Sequence, residues 1–209
     1  FVHLTDKVYS GSEITEELKK RIYDPLFLEG LIGIKGRLIK RSIIVHHGLT
    51  FEENLRYLED EIFGWDVLAY CNNAKYIREQ LYSYYVNPNV KSAVSAGFDR
   101  GFPVSNFKLA KHHIQNCFTK RGLSTKEIES LAEHAFISFL IGALVSYSRS
   151  IILGKVDQGV GRERRGALIK ELLKDPDVSK AIKNYSPSKN ESVLIPKAIA
   201  WKCHKLLEV

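Results

Sequence analysis

The residues best equipped for chemistry lie together in the stretch FEENLRYLEDEIF, from Phe51 to Phe63. Five carboxylates, Glu52, Glu53, Glu59, Asp60 and Glu61, fall there within ten positions. Leu55, Leu58, Ile62 and Phe63 recur through the same stretch at helical spacing, so part of the acidic run must rest against a core. A carboxylate held beside an apolar face is a candidate acid, base or metal ligand, because desolvation changes its hold on a proton. The competing reading is a plain helix start, in which Glu59, Asp60 and Glu61 favour the positive end of the helix dipole.

Other constellations are weaker. Four basic residues between Lys35 and Arg41 are interleaved with aliphatics and could hold a phosphate or form a solvated helix face. His46-His47-Gly48 reads as a turn rather than a metal site, since no third ligand stands nearby. His112-His113 reads as a partly exposed helical pair. Asp175-Pro176-Asp177 has the letters of a metal-binding Asp-x-Asp, but a helix-breaking proline makes it a turn. Gly159-Val160-Gly161, in a loop over residues 155–161, is too little for a phosphate cradle.

The elements that must position these groups are legible in outline. Residues 1–9 read as an edge strand or loop. Ser10 and Glu13 form a capping-box pattern opening a helix with Ile14, Leu18, Ile22 and Leu26 on one face, ended or bent by Pro25. The acidic helix runs on through Trp65, Leu68 and Cys71 and stops at Asn72-Asn73. Residues 74–86 alternate and are rich in aromatics, which predicts one or two strands, closed by a turn at Asn87-Pro88-Asn89. Gly97, Gly101 and Pro103 mark a linker. A helix over residues 105–119 follows, with Phe107, Leu109, Ala110, Ile114 and Phe118 as its apolar face. Ser124 and Glu127 form a second capping box, opening a long helix towards Gly154. The uncharged run 135–148 within it is short of the roughly 20 apolar residues a membrane span needs and reads as a buried core helix. From Arg162 another helix carries Leu168, Ile169, Leu172 and Leu173, and a last helix holds Trp201, Leu206 and Leu207.

Composition bounds the rest. With 209 residues, 44% hydrophobic and 26% charged, the chain is long enough to bury one good core and is not disordered. A net charge of +7 suits an anionic partner: nucleic acid, membrane lipid or a phosphorylated ligand. Residues 155–209 hold 12 Lys and Arg against 7 Asp and Glu, so the excess is concentrated there and suits an anionic membrane surface or a solvated helical surface. No basic-aromatic stacking platform is evident, which argues against nucleic acid. Cys71, Cys117 and Cys203, odd in number and widely spaced, argue for a reducing compartment and against a disulfide framework. The chain has no methionine, as expected of a segment from inside a longer protein or of one whose methionines have been lost from the sequence.

Taken in order, Arg37-Leu38-Ile39-Lys40-Arg41, the anchor Leu49-Thr50-Phe51, the acidic RYLEDEIF, then AKYI and LYSYYVNPN resemble the second half of a family 2 glycosyltransferase of GT-A fold. The resemblance spans residues 24–92. It implies a mainly α chain with a small mixed α/β part: residues 1–92 as the acceptor-side part of the GT-A domain, and residues 93–209 as a helical C-terminal extension. By position it implies Asp60 as the general base on the acceptor hydroxyl, Glu59 as the adjoining acid, and Arg37, Lys40, Tyr84 and Tyr85 as substrate-binding residues. Arg37 stands where the family usually has Lys, keeping the charge but changing the hydrogen-bond geometry. Tyr85 stands where the family often has Arg, leaving that position without a cation for the diphosphate.

The resemblance further implies inverting transfer from a nucleotide-sugar donor to a cell-surface polysaccharide or glycolipid. The donor-binding half, with an Asp-x-Asp holding a divalent Mg or Mn ion, would precede Phe1, so this segment alone is expected to be inactive. The partners expected are the donor and a glycan or lipid-linked acceptor, in the cytoplasm or on the inner face of the membrane. Peripheral membrane contact and homodimerisation are open, and nucleic acid is not expected. The alternative is a non-enzymatic, basic helical module that binds a partner protein, a membrane surface or nucleic acid.

Overall fold

The computed structural model describes residues 6–24, 36–55, 57–77, 79, 82–83, 85, 101–188 and 191–207. The described chain is mainly helical with one small two-stranded sheet. Its spine is α5 (Thr125–Ile152), 28 residues opened by the expected capping box: the Ser124 side chain accepts from Glu127 N, and Glu127 reaches back to Ser124 N. At 1.5 Å per residue it is about 42 Å long. By length and apolar composition α5 could cross a bilayer, but half of its most apolar stretch is buried against its neighbours.

The two ends of α5 serve two cores. Ile128, Leu131, Ala132 and Ala135 pack with residues of α1 (Gly11–Tyr23), α3 (Glu59–Ala69) and α4 (Val104–Lys120). Phe136, Ile137, Leu140, Leu144 and Tyr147 pack with α6 (Gln158–Lys174), α7 (Pro176–Ala181), α8 (Leu194–Ala200) and α9 (His204–Leu207). Leu58 and Phe139 touch both clusters, so the strand of chain leading into α3 lies at their junction. The first cluster draws on residues from both sides of position 92.

In α1 the expected stripe is buried at Ile14, Leu18 and Ile22, and the Ser10–Glu13 capping box is present; Pro25 and Leu26 lie outside the described residues. β1 (Lys7–Ser10) pairs antiparallel with β2 (Asn73–Tyr76), Tyr9 opposite Ala74. The short α2 (Arg41–His47) ends at Gly48, whose φ of 60° closes the turn. The structure puts His46 and His47 in the last helical turn of α2, with only Gly48 in the turn expected of all three, and His47 stacks on Tyr70 at 3.7 Å.

The acidic helix begins at Glu59, as the run of acids at its head indicates, and just upstream Glu52 Oε1 accepts from Asn54 N (3.1 Å) and Asn54 Nδ2 (2.8 Å), a local turn that competes with helix. Three expectations are corrected. The strand is four residues long, because β1 offers β2 a backbone partner over four residues; Tyr82, Ser83 and Tyr85 are irregular, and residues 86–100 lie outside the described residues. Gln158, Gly159, Val160 and Gly161 form the first turn of α6 rather than a loop, since Asp157 Oδ1 accepts from Val160 N at 3.0 Å. Gly161 is buried where a Cβ would meet Ile151 Cγ1 at 2.7 Å, which lets α6 approach α5 closely. The last helix is two short ones, because Lys202 adopts φ 53°. Lys202 N donates to Ile199 O (3.0 Å) and Cys203 N to Ala198 O (2.8 Å), the hydrogen-bond pattern of a Schellman cap.

Candidate functional site

Asp60 stands in the first turn of α3, and three linkages set the position of that helix. At its far end the Arg121 guanidinium donates to Leu68 O (2.7 Å), Cys71 O (3.3 Å) and Thr15 Oγ1 (2.6 Å), and also to Gly11 O, tying α3 to the start of α1. Midway, Asp66 and His113 Nδ1 meet at 3.0 Å, joining α3 to α4. In the core Trp65 sits edge-on to Phe118 at 5.6 Å.

The head of α3 is unusual. Its N-cap is Leu58, with no side-chain cap and φ 70°, a left-handed conformation that costs a non-glycine residue about 1–2 kcal/mol. Contact of the Leu58 side chain with both cores offsets that cost. Such outliers, when the surroundings hold them, recur at functional sites. With no N-cap oxygen, the first turn uses its own acids: Asp60 Oδ1 accepts from Glu61 N at 2.8 Å. Oδ2 of Asp60 has no hydrogen-bond partner among the described residues, and Asp60 is half-buried. Glu59, also half-buried, makes no hydrogen bond or ion pair among the described residues.

Glu61 is the most enclosed acid at the head of α3. Its side chain is 14% exposed and lies 3.4 Å from the Arg21 guanidinium. Burial raises its proton affinity, Arg21 opposes that, and the neighbouring charge of Asp60 adds to it, with a net upward shift. The phenol of Tyr57 is raised too, by burial first and then by the charge of Glu61. Its ring packs on Phe102 at 4.8 Å. Arg21, Tyr57, Asp60 and Glu61 therefore form one electrostatically coupled group at the head of α3. Arg21 stands 40 residues before Glu61, with no local sequence signal to link them.

The remaining predicted residues are placed less closely. Arg37 is partly buried, and desolvation lowers its guanidinium to about 10, so it stays cationic at neutral pH. Lys40 is exposed at the N-cap of α2. Tyr84 lies outside the described residues, and Tyr85 is 83% exposed. The structure does join the segments that carry them: a Cβ on Gly36 would lie 3.5 Å from Tyr82 Cβ. Phe51 stacks on Phe63 at 4.2 Å, holding the stretch after α2 against α3.

Two hollows lie elsewhere. One of about 380 Å³ is lined by Gly11, Thr15, Cys71, Lys120 and Arg121, the other of about 210 Å³ by Tyr23, Glu133, His134 and Tyr185. Among the described residues no group of three or more His, Cys, Asp or Glu side chains is arranged to hold a metal ion. Asp175 and Asp177 are joined instead by Lys108, at 2.7 and 2.8 Å, and Asp175 caps α7. Compared with family models, curated proteins and solved structures, the chain matches none.

Proposed function

We propose that the head of α3 is the acceptor-side site of an inverting, nucleotide-sugar-dependent glycosyltransferase, with Asp60 as general base. The observation that carries this reading is a half-buried carboxylate with one oxygen held by Glu61 N and the other without a partner among the described residues, beside the left-handed Leu58. Held in that way, Asp60 can take the proton of an acceptor hydroxyl as the hydroxyl oxygen attacks the anomeric carbon. The new C–O bond forms as the bond to the diphosphate breaks, and the diphosphate leaves with the electron pair. Glu59 projects about 100° around the helix from Asp60, so it meets a different part of the acceptor. Arg37 and Lys40 supply positive charge for the diphosphate. The GT-A arrangement, the upstream donor-binding half with its metal and the inner-membrane setting belong to the same proposal.

The test is Asp60→Asn in the full-length protein, scored by nucleoside diphosphate release across a panel of nucleotide sugars and acceptors. The expected result is a fall in kcat of about 10²–10⁴-fold with donor affinity retained. Unchanged turnover would remove Asp60 from the role. The acid-free basic surface of α8 and α9 favours a second reading, a non-enzymatic helical binding module, for which the same panel would show no diphosphate release.

A further inference from the structure

The last described segment carries a surface that the proposed transfer chemistry does not use. Along α8 and α9 the inward residues Ala198, Ile199 and Leu207 are buried in the second core, so the outward face is held firmly. That face exposes Val193 (57%), Leu194 (73%), Trp201 (69%) and Leu206 (55%). Leu194, Lys197 and Trp201 stand at i, i+3 and i+7, on one side of the helix. Lys197, Lys202 and Lys205 are exposed among them, and no acidic residue occurs between Glu191 and Glu208. Lys202 adopts a left-handed φ of 53° at a cap position where glycine would be unstrained. The strained turn sets a lysine directly beside the exposed indole.

We propose that this face docks the protein peripherally on an anionic lipid bilayer, with Trp201 and Leu194 entering the headgroup boundary and Lys197, Lys202 and Lys205 meeting lipid phosphates. An indole suits that boundary because its body is apolar and its N–H polar. Lysines bury their stems along such a surface while their ammonium groups stay with the phosphates. The chain's net charge of +7 gives the long-range attraction. Nucleic acid fits less well: stacking on a single strand uses a series of aromatic rings, and this face offers one. The docking surface uses none of the residues assigned to sugar transfer, and its test needs no turnover.

The two tryptophans make the experiment direct. Trp65 is 1% exposed, so a lipid-induced change in emission reports on Trp201. The full chain is mixed with vesicles of phosphatidylcholine alone or with phosphatidylserine added, and followed by fluorescence and co-sedimentation. The expected result is a blue shift and sedimentation with the anionic vesicles alone, both reversed by salt. Replacing Lys197, Lys202 and Lys205 by Gln should weaken partitioning by about five-fold per lysine, roughly a hundred-fold in all. Trp201→Ala should abolish the shift and weaken binding, and both variants should keep the wild-type circular dichroism, since the altered side chains are exposed. Equal binding to neutral vesicles, binding without a shift at Trp201, no binding, or undiminished binding by the lysine variant would overturn the proposal. So would concentration-dependent self-association without lipid that Trp201→Ala abolishes, which would make the face an interface between two copies.

Discussion

Arg121→Ala should loosen α3 from α1 and cost more than any ordinary surface substitution. Arg121 gives Nε to Thr15 Oγ1 at 2.6 Å and Nη1 to Leu68 O at 2.7 Å and Cys71 O at 3.3 Å, and its other terminal nitrogen meets Gly11 O. Hydrogen bonds from a charged donor contribute about 1.5–3 kcal/mol each when removal leaves the acceptor dry. Arg121 is half-buried, so water can reach some of the abandoned acceptors and the contributions do not add. A net loss of about 2–4 kcal/mol follows, or a fall in Tm of roughly 5–15 °C for a chain of this size. Arg121→Lys keeps the charge but loses the planar fork, so it should fall between alanine and the wild type. Urea denaturation followed by circular dichroism measures both, with the midpoint moving and the slope constant. A loss below about 0.5 kcal/mol for alanine, typical of an unremarkable surface site, would refute the account of α3 as a helix anchored through this guanidinium.

Two further outcomes are expected. Gly161→Ala should destabilise by about 1–3 kcal/mol, because its Cβ would overlap Ile151 and push α6 off α5; wild-type thermal stability would show that the interface has slack. The His113–Asp66 contact should make stability pH-dependent, since Asp66 raises His113 above its usual value. The contribution is fully present below the unfolded histidine value of about 6.5 and disappears as pH rises through the raised folded value. Denaturation measured from mildly acidic to mildly alkaline pH should therefore show a stability loss with rising pH that His113→Gln flattens, and an unchanged slope in that variant would assign the effect to other groups.

What was legible in the sequence was what depends on neighbours a few residues away. Ser10 with Glu13 and Ser124 with Glu127 are hydrogen-bonded across one turn, so their types and spacing suffice to start α1 and α5. The stripe Ile14, Leu18 and Ile22 and the face Phe107, Ala110, Ile114 and Phe118 were likewise readable, because helical periodicity alone aligns them. The acidic run marked the head of α3, and Asp60 within it, for the same local reason. Tertiary structure decided the rest. Alternation over residues 74–86 suggested longer strands, but a strand extends only as far as its backbone partner, which sequence spacing does not supply. Leu58 takes a left-handed conformation because two cores meet at its side chain. Glu61, which sequence does not set apart from its acidic neighbours, is the perturbed carboxylate because folding buries it and brings Arg21 and Tyr57 to it from other parts of the chain. Proton affinity answers to desolvation and to charges within a few ångströms, and those distances exist only once the helices have packed.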